Sequence, residues 1–177
     1  MSEKQSDSIK EVRLATTNDA EGIFEVQKST WLDSYPSKEN NVDHMDILEE
    51  FSNERDGILN ISKSIENYDE NNCGWVVEKG REIVGFSATY EKDGRIFVGA
   101  VYVLPEYQGQ GIGRVLLEKI LDFHSDANEL WLDVASYNED AIRFYEKYNF
   151  HIVSGSDDRH ELRNGRFIPI IKMNREQ

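Results

Sequence analysis

The sequence holds one cysteine, Cys73, in 177 residues. A lone thiol excludes an internal disulfide and any zinc site built from several cysteines. The four histidines, His44, His124, His151 and His160, show no metal-ligand spacing, so no metal is expected. No apolar run reaches membrane length, and the start Met-Ser-Glu-Lys-Gln-Ser-Asp is polar. No membrane partner is therefore expected, and the expected location is cytoplasmic. Positive charge is scarce: 20 Lys and Arg stand against 34 Asp and Glu, for a net charge of −14. Such a field repels nucleic acid and concentrates cations. The ladder Arg159–Arg166 is too mixed with acids to change that reading. Two explanations of the acidity stay open: attraction of a cationic amine, such as a polyamine, or solubility and adaptation to salt.

Two common phosphate-binding patterns are missing as well. No Gly-Lys-Ser/Thr closes a P-loop. The dinucleotide spacing G-x-G-x-x-G is absent, although Asp133 lies about 20 residues past the glycines, where such a site keeps its acid. Pro105-Glu106-Tyr107 also separates the strand from the first glycine. What the chain does have is Val101-Tyr-Val-Leu-Pro-Glu-Tyr-Gln108-Gly-Gln-Gly111-Ile-Gly113-Arg-Val-Leu-Leu117. It reads as a strand, a Pro-containing turn, a glycine-rich loop and an amphipathic helix with Ile112, Val115, Leu116, Ile120 and Phe123 at helical spacing. A helix start leaves about four N–H groups without internal partners, and the macrodipole adds positive potential there. Gly109, Gly111 and Gly113 strip Cβ atoms from that end and let an anion, typically a phosphate, reach the amides. One capping glycine would serve a turn, whereas three cost roughly 1 kcal/mol each relative to Ala if helical. The loop is read as a ligand loop.

The pattern Q/R-x-x-G-x-G/A, here Gln108-Gly109-Gln110-Gly111-Ile112-Gly113, resembles the acetyl-CoA signature of the GCN5-related N-acetyltransferase (GNAT) superfamily. A second stretch runs from Leu132-Asp-Val-Ala-Ser-Tyr-Asn138 through Tyr145 to Phe150. It resembles the family motif L-x-V-x-x-x-N-x-x-A-x-x-F/L-Y-x-x-x-G-F, with Asn149 at the usual glycine; both residues tolerate positive φ. Trp31-Leu-Asp-Ser-Tyr35 resembles the W-x-x-x-Y that closes the first helix in many small-molecule members. Together the resemblance spans residues 9–174.

Pattern supplies the remaining elements. Ile9–Ala15 alternates as a first strand, with Val12 and Leu14 on one face, followed by a helix capped by Thr17 or Asn18 and ending near Tyr35-Pro36. Ile23, Val26, Trp31 and Phe24 form its apolar stripe. Asp43–Ile65 is loosely helical and interrupted by Gly57, with Asp43, Asp46, Glu49 and Glu50 as a solvated face or the rim of a cation-binding cleft. Trp75–Val77, Ile83–Tyr90 and Arg95–Val103 read as strands joined at Lys79-Gly80-Arg81 and Asp93-Gly94. Gly85 and Gly99 mark bulges or close approach. Glu129–Ala135 is a strand, and Asn138 caps a helix over Glu139–Tyr148 that ends at Asn149. Strands at His151–Val153 and Phe167–Met173, joined at Asn164-Gly165, close the chain.

The resemblance implies an α/β GNAT fold: a mostly antiparallel mixed sheet of about seven strands, splayed at an acetyl-CoA groove and flanked by about four helices. Residues 1–8 would form a disordered tail and 9–177 one N-acetyltransferase domain, acting as monomer or homodimer. Acetyl-CoA is the implied cosubstrate and acetyl passes directly to a primary amine, so Cys73 has no role. Val101, Tyr102 and Val103 would line the pantetheine arm, the two valines through backbone groups. Gln108, Gly109, Gln110, Gly111, Ile112, Gly113 and Arg114 would cradle the pyrophosphate, and Asn138 would hydrogen-bond CoA. Trp31 and Tyr35 would wall the acceptor pocket. An alkylamine of pKa near ~10 must lose a proton to attack, so a base or a water chain is needed. Asp133 matches the acidic base of some members; an ion-pair role for it stays equally open. Tyr145 holds the general-acid position, facing a thiol of pKa near ~8.5. The expected acceptor is a small cationic, polyamine-like amine; the rivals are a protein Nα or lysine acetyltransferase and a non-catalytic acetyl-CoA-binding module.

Overall fold

The computed structural model describes residues 12–176. The expected tail lies outside them, as do residues 9–11 of the first strand. That strand, β1 (Arg13–Leu14), is short; Val12 packs on the core but Leu14 is 53% exposed, so their shared face is not a buried one. Thr17–Asp19 is a single 3-10 turn, and neither Thr17 nor Asn18 caps the helix as expected. Instead the Asp19 carboxylate accepts the Thr16 N–H at 2.8 Å and two Arg13 guanidinium bonds at 2.7 and 2.8 Å. Helix α1 (Ala20–Ser34) follows, and Tyr35 closes it one residue before Pro36, as expected of a residue preceding proline.

The stretch expected to be one loose helix is two: α2 (His44–Glu50) and α3 (Glu54–Glu66). The break falls at Ser52-Asn53, where Asn53 accepts the Asp56 N–H as an N-cap. Gly57 sits inside α3, because a Cβ there would lie 2.5 Å from the Phe24 ring of α1. The helix total is therefore five among the described residues, one more than expected. Strands β2 (Cys73–Lys79), β3 (Glu82–Lys92) and β4 (Arg95–Val103) form the antiparallel run read from the sequence. After α4 (Ile112–Phe123) come β5 (Glu129–Ala135), α5 (Glu139–Glu146), β6 (His151–Ile152), β7 (Asp158–Glu161) and β8 (Phe167–Glu176). Strand β7 is the unexpected one. Its residues Asp-Arg-His-Glu are all polar and exposed, so no apolar alternation announces it, and the Asn164-Gly165 turn joins β7, not β6, to β8.

The sheet runs β1-β2-β3-β4-β5-β8-β6 with β7 paired to β8, antiparallel throughout except between β4 and β5. Helix α1 covers one face, where Gly22 lets it close on Ile83, and α4 covers the other, where Ile112 and Leu116 close on Gly85. Between the layers lie Trp75, Leu117, Ile120, Leu130, Leu132 and Met173, each 2% exposed or less. Burying side chains of this size contributes ~1.5–3 kcal/mol apiece. Phe123 is the exception in its stripe: it is 47% exposed, with its ring edge-on to Trp75 at 5.1 Å.

One irregularity shapes everything that follows. Ala88 pairs with Ala100 and Thr89 with Val98, leaving Gly99 as the extra residue of a bulge. Strands β4 and β5 pair in parallel at Ile96–Leu130 and Phe97–Trp131, and their ladder ends there, just before that bulge. Beyond it the two strands part, and the sheet has a gap.

Candidate active site

The glycine loop opens onto this gap. Gly109 and Gly111 have φ of 73° and 83°, a left-handed conformation that other residues adopt only with strain. The first bond of the α4 ladder runs from Val115 N–H to Gly111 O at 3.1 Å. The amides of Ile112, Gly113 and Arg114 ahead of it thus lack helical acceptors. Gln108, Gly109, Gly111, Gly113 and Arg114 line a cleft of about 810 Å³. The other two expected loop residues stand differently. The Ile112 side chain is buried in the core, and Gln110 donates from Nε2 to Glu106 O at 3.2 Å, away from the cleft wall.

The edge of β4 forms one wall. Leu104 N–H bonds Val84 O on β3, so strand alternation turns the peptide groups of Val101 and Val103 toward the gap. The Val103 carbonyl is already engaged, accepting from Gln108 Nε2 at 3.2 Å and from the Thr30 hydroxyl at 3.4 Å. Val101 has the freer edge. On the opposite wall Asn138 caps α5, its Oδ1 accepting the Ala141 N–H at 3.1 Å, while the residue itself lines the cleft. Tyr145 lies about two turns further along α5, its ring against Phe144 (5.2 Å) and Phe150 (5.7 Å). Burial, and then the neighbouring Tyr102, push the Tyr145 phenol above its usual range, which keeps it protonated. Among the described residues its hydroxyl makes no hydrogen bond, so it is available to a ligand.

Past the gap lies a second cavity of about 240 Å³. Tyr35, Gly99, Ala100, Tyr102, Asp133 and Ala135 line both cavities, so the two meet at the splay. Trp31 and Tyr35 line it, with rings edge-on at 4.9 Å. Trp31 Nε1 donates to the Tyr102 hydroxyl at 3.2 Å, and the Tyr137 hydroxyl donates to Tyr35 O at 2.7 Å. Burial raises the phenols of Tyr35 and Tyr102, and it pushes Tyr137 up to about 12. Asp133 reaches this junction, and it is also ion-paired: Lys172, directly opposite on β8, sits 3.3 Å from its carboxylate and 3.1 Å from that of Asp158.

Several site residues escaped the sequence. His160 of the unforeseen β7 packs edge-on to Trp31 at 5.5 Å, and Lys172 meets Asp133 through a strand register that no local pattern encodes. The acid-rich start of α2 is only partly the solvated face it was expected to be. Asp46 is buried and bonds Arg166 Nη1 at 2.7 Å and Asn164 Nδ2 at 2.5 Å, clasping the β7–β8 turn to α2. Hydrogen bonding and Arg166 outweigh burial and hold its carboxyl below the ordinary value. Among the described residues no cluster of His, Cys, Asp and Glu could hold a metal, and no helix is long and apolar enough to cross a membrane.

Comparison with known proteins agrees with this geometry. Residues 24–150 match the model of the "Acetyltransferase (GNAT) family". The peptidyl-lysine N-acetyltransferase YiaC of Escherichia coli is 36% identical over 86 residues, 49% of this chain and 55% of that protein. Streptothricin acetyltransferase of Streptomyces lavendulae is 36% identical over 73 residues, 39% of each chain. The matched segment thus spans about half, or less, of these relatives' length. Among solved structures, the PaiA N-acetyltransferase of Thermoplasma acidophilum in complex with coenzyme A superposes with a TM-score of 0.69 at 23% identity, over 96% of this chain and 99% of that one. The Salmonella typhimurium yncA acetyltransferase with acetyl-CoA gives 0.66 at 18% identity, over 96% and 94%. The overall fold is thus shared with these structures, and the chain belongs to the acetyltransferase (GNAT) family.

Proposed function

We propose that the protein transfers an acetyl group from acetyl-CoA to a primary amine, with both substrates bound at once. The observation that carries this reading is the meeting of two cavities at the splay, with a carboxylate at their junction and a protonated phenol on the wall of the larger one. The larger cavity fits the cosubstrate: amides without helical acceptors point out of α4, no side chain crowds the space above Gly109 and Gly111, and Arg114 adds positive charge. Gln108, Gly109, Gly111, Gly113 and Arg114 would hold the diphosphate, the Val101 and Tyr102 edge the pantetheine arm, and Asn138 its far amide. When bound, acetyl-CoA supplies a thioester that is activated toward attack.

The neutral amine nitrogen forms the new N–C bond, the C–S bond breaks with its electron pair leaving on sulfur, and the second proton of the attacking nitrogen passes to the departing thiolate or to water. Asp133 accepts the proton the ammonium must shed, directly or through water, while its ion pair with Lys172 orients it. The thiolate sulfur takes its hydrogen bond from Tyr145. A phenol raised by burial releases its proton reluctantly, so Tyr145 serves chiefly as a donor that stabilises the departing sulfur. The acceptor in this reading is a small cationic amine. A peptidyl lysine is the second reading, favoured by the 36% identity to YiaC.

Calorimetry with CoA, followed by thiol release from acetyl-CoA with a panel of amines and lysine peptides, tests the proposal. Tight CoA binding with amine-dependent release supports it. Binding without release for any acceptor would leave a regulatory module that senses acetyl-CoA.

A further inference from the structure

We infer that the acceptor carries one ammonium group on an apolar stem, and not several charges along its length; this rests on the acetyl-transfer reading above. The inference comes from the lining of the smaller cavity. Trp31, Tyr35, Tyr90, Tyr102 and His160 supply its rings, and Ile168, which is 2% exposed, with Ile170 supplies an aliphatic wall. These surfaces are fixed. Trp31 is held by its bond to Tyr102 and by edge-on contacts to Tyr35, Phe51 and His160, and Tyr90 is stacked on Phe97 at 5.3 Å. Burial keeps the phenols of Tyr35 and Tyr102 neutral.

Against this lining, Asp133 is the one carboxylate among the described residues that line the cavity, and it already shares the Lys172 ammonium with Asp158. An entering ammonium therefore replaces or shares one existing cation, while faces of aromatic rings attract it and cover its stem. A second or third ammonium deeper in the cavity would meet rings and isoleucines with no anion to pair it, and burying an unpaired charge is strongly unfavourable. The acids that give the chain its net charge of −14 are placed elsewhere. Asp19, Glu21, Glu25, Glu78, Glu82 and Glu106 line a separate groove between α1 and the β2–β3 hairpin that shares no residue with the acceptor cavity. The chain's acidity and its acceptor preference are thus separate matters. An alkyl monoammonium is the chemistry that fits, whether a free monoamine or the side chain of a lysine.

The experiment titrates the CoA-loaded protein by calorimetry with n-pentylamine, 1,5-diaminopentane, spermidine and Nα-acetyl-lysine methylamide, and follows thiol release with the same amines in parallel. Pentylamine and the lysine derivative should bind about tenfold or more tightly than the diamine, whose stem is the same but whose second charge goes unpaired. Tighter binding by the lysine derivative assigns the lysine source, and tighter binding by pentylamine the free amine; either order supports the inference. Lys172→Gln, which exposes Asp133, should narrow the gap between monoamine and diamine. Diamine or spermidine binding as tightly as pentylamine to the wild-type protein, or no binding by any of the four, overturns the inference. Binding in the expected order with no thiol release upholds it and breaks the acetyl-transfer reading instead.

Discussion

The two ends of the cleft are built by opposite means. At the proposed cosubstrate end, one contiguous stretch from Val101 to Arg114 presents mainly backbone: strand edge, left-handed glycines and helix-start amides. At the proposed acceptor end, residues from α1, β3, β4, β5, β7 and β8 converge. A ligand held by peptide groups constrains a sequence to short, glycine-marked patterns. A ligand held by converging side chains leaves no such local mark, and each contributor can vary alone.

Substitutions at each end should move one ligand and spare the other. The largest effect on CoA binding is expected at Gly113, whose backbone is not left-handed and where a Cβ would make ordinary contacts with Phe144 (3.7 Å) and Val103 (3.8 Å). Gly113→Ala should fold normally, with a slightly raised melting temperature from helix propensity. Gly113→Leu should fold yet lose CoA affinity by about a hundredfold, or ~2.7 kcal/mol, read by calorimetry beside circular dichroism. Gly111 is the poorer target, since at φ 83° any side chain strains the loop itself. Unchanged CoA affinity in folded Gly113→Leu would remove the loop from the binding site.

Asp133→Asn should act at the other end, lowering turnover by ~10²–10⁴ with CoA affinity intact. Its defect should shrink as pH rises toward ~10, where the amine loses its proton unaided. A constant defect across that range would mean that Asp133 acts only through its ion pair. Tyr145→Phe keeps the ring, so CoA binding should hold while turnover falls by about 10². That loss should shrink as pH approaches ~8.5, where the departing thiolate needs less help. Wild-type turnover in this variant, with chemistry shown to limit the rate, would return Tyr145 to a packing role.

The smallest effect concerns the clasp. Asp46→Asn loosens the β7–β8 turn from α2, so KM for the amine should rise by about tenfold at most while KM for acetyl-CoA stays put. Equal changes in both constants would show a general loosening instead. Asp46 is held below its ordinary value of 3.8, so its contribution to stability is complete above that pH and is lost as pH falls further. The melting-temperature gap between wild type and Asp46→Asn should be flat from about pH 8 to 5 and close toward about pH 3.

The same contrast explains what could be read in advance. The glycine loop, the β2–β3–β4 meander, the Asn138 cap and the positive φ of Asn149 follow from residue type and spacing, and each stands where expected. Trp31 and Tyr35 were picked out by their resemblance to a family motif, and both line the smaller cavity. His160 and Lys172 were not, since β7 has no apolar period and the Asp133–Lys172 pairing is a matter of register between strands 39 residues apart. The split between α2 and α3 was misplaced at Gly57 because a glycine inside a helix reads as a breaker, whereas here it serves contact with Phe24. Asp46 was grouped with solvated acids because its partners, Asn164 and Arg166, are more than a hundred residues away.

Gly99 has a wider meaning than its place in one strand suggests. It is a single inserted residue, and the pairing of β4 with β5 stops beside it. Deleting it would restore unbroken one-to-one pairing along β3 and β4, with Val98 still opposite Thr89 and Ala100 still opposite Ala88, and would remove the kink between them. The edge that now faces the gap could then resume its ladder with β5, and the passage between the two substrates would be sewn shut. By this measure the difference between a sealed structural sheet and one that two reactants can meet through is one amino acid, the smallest one available.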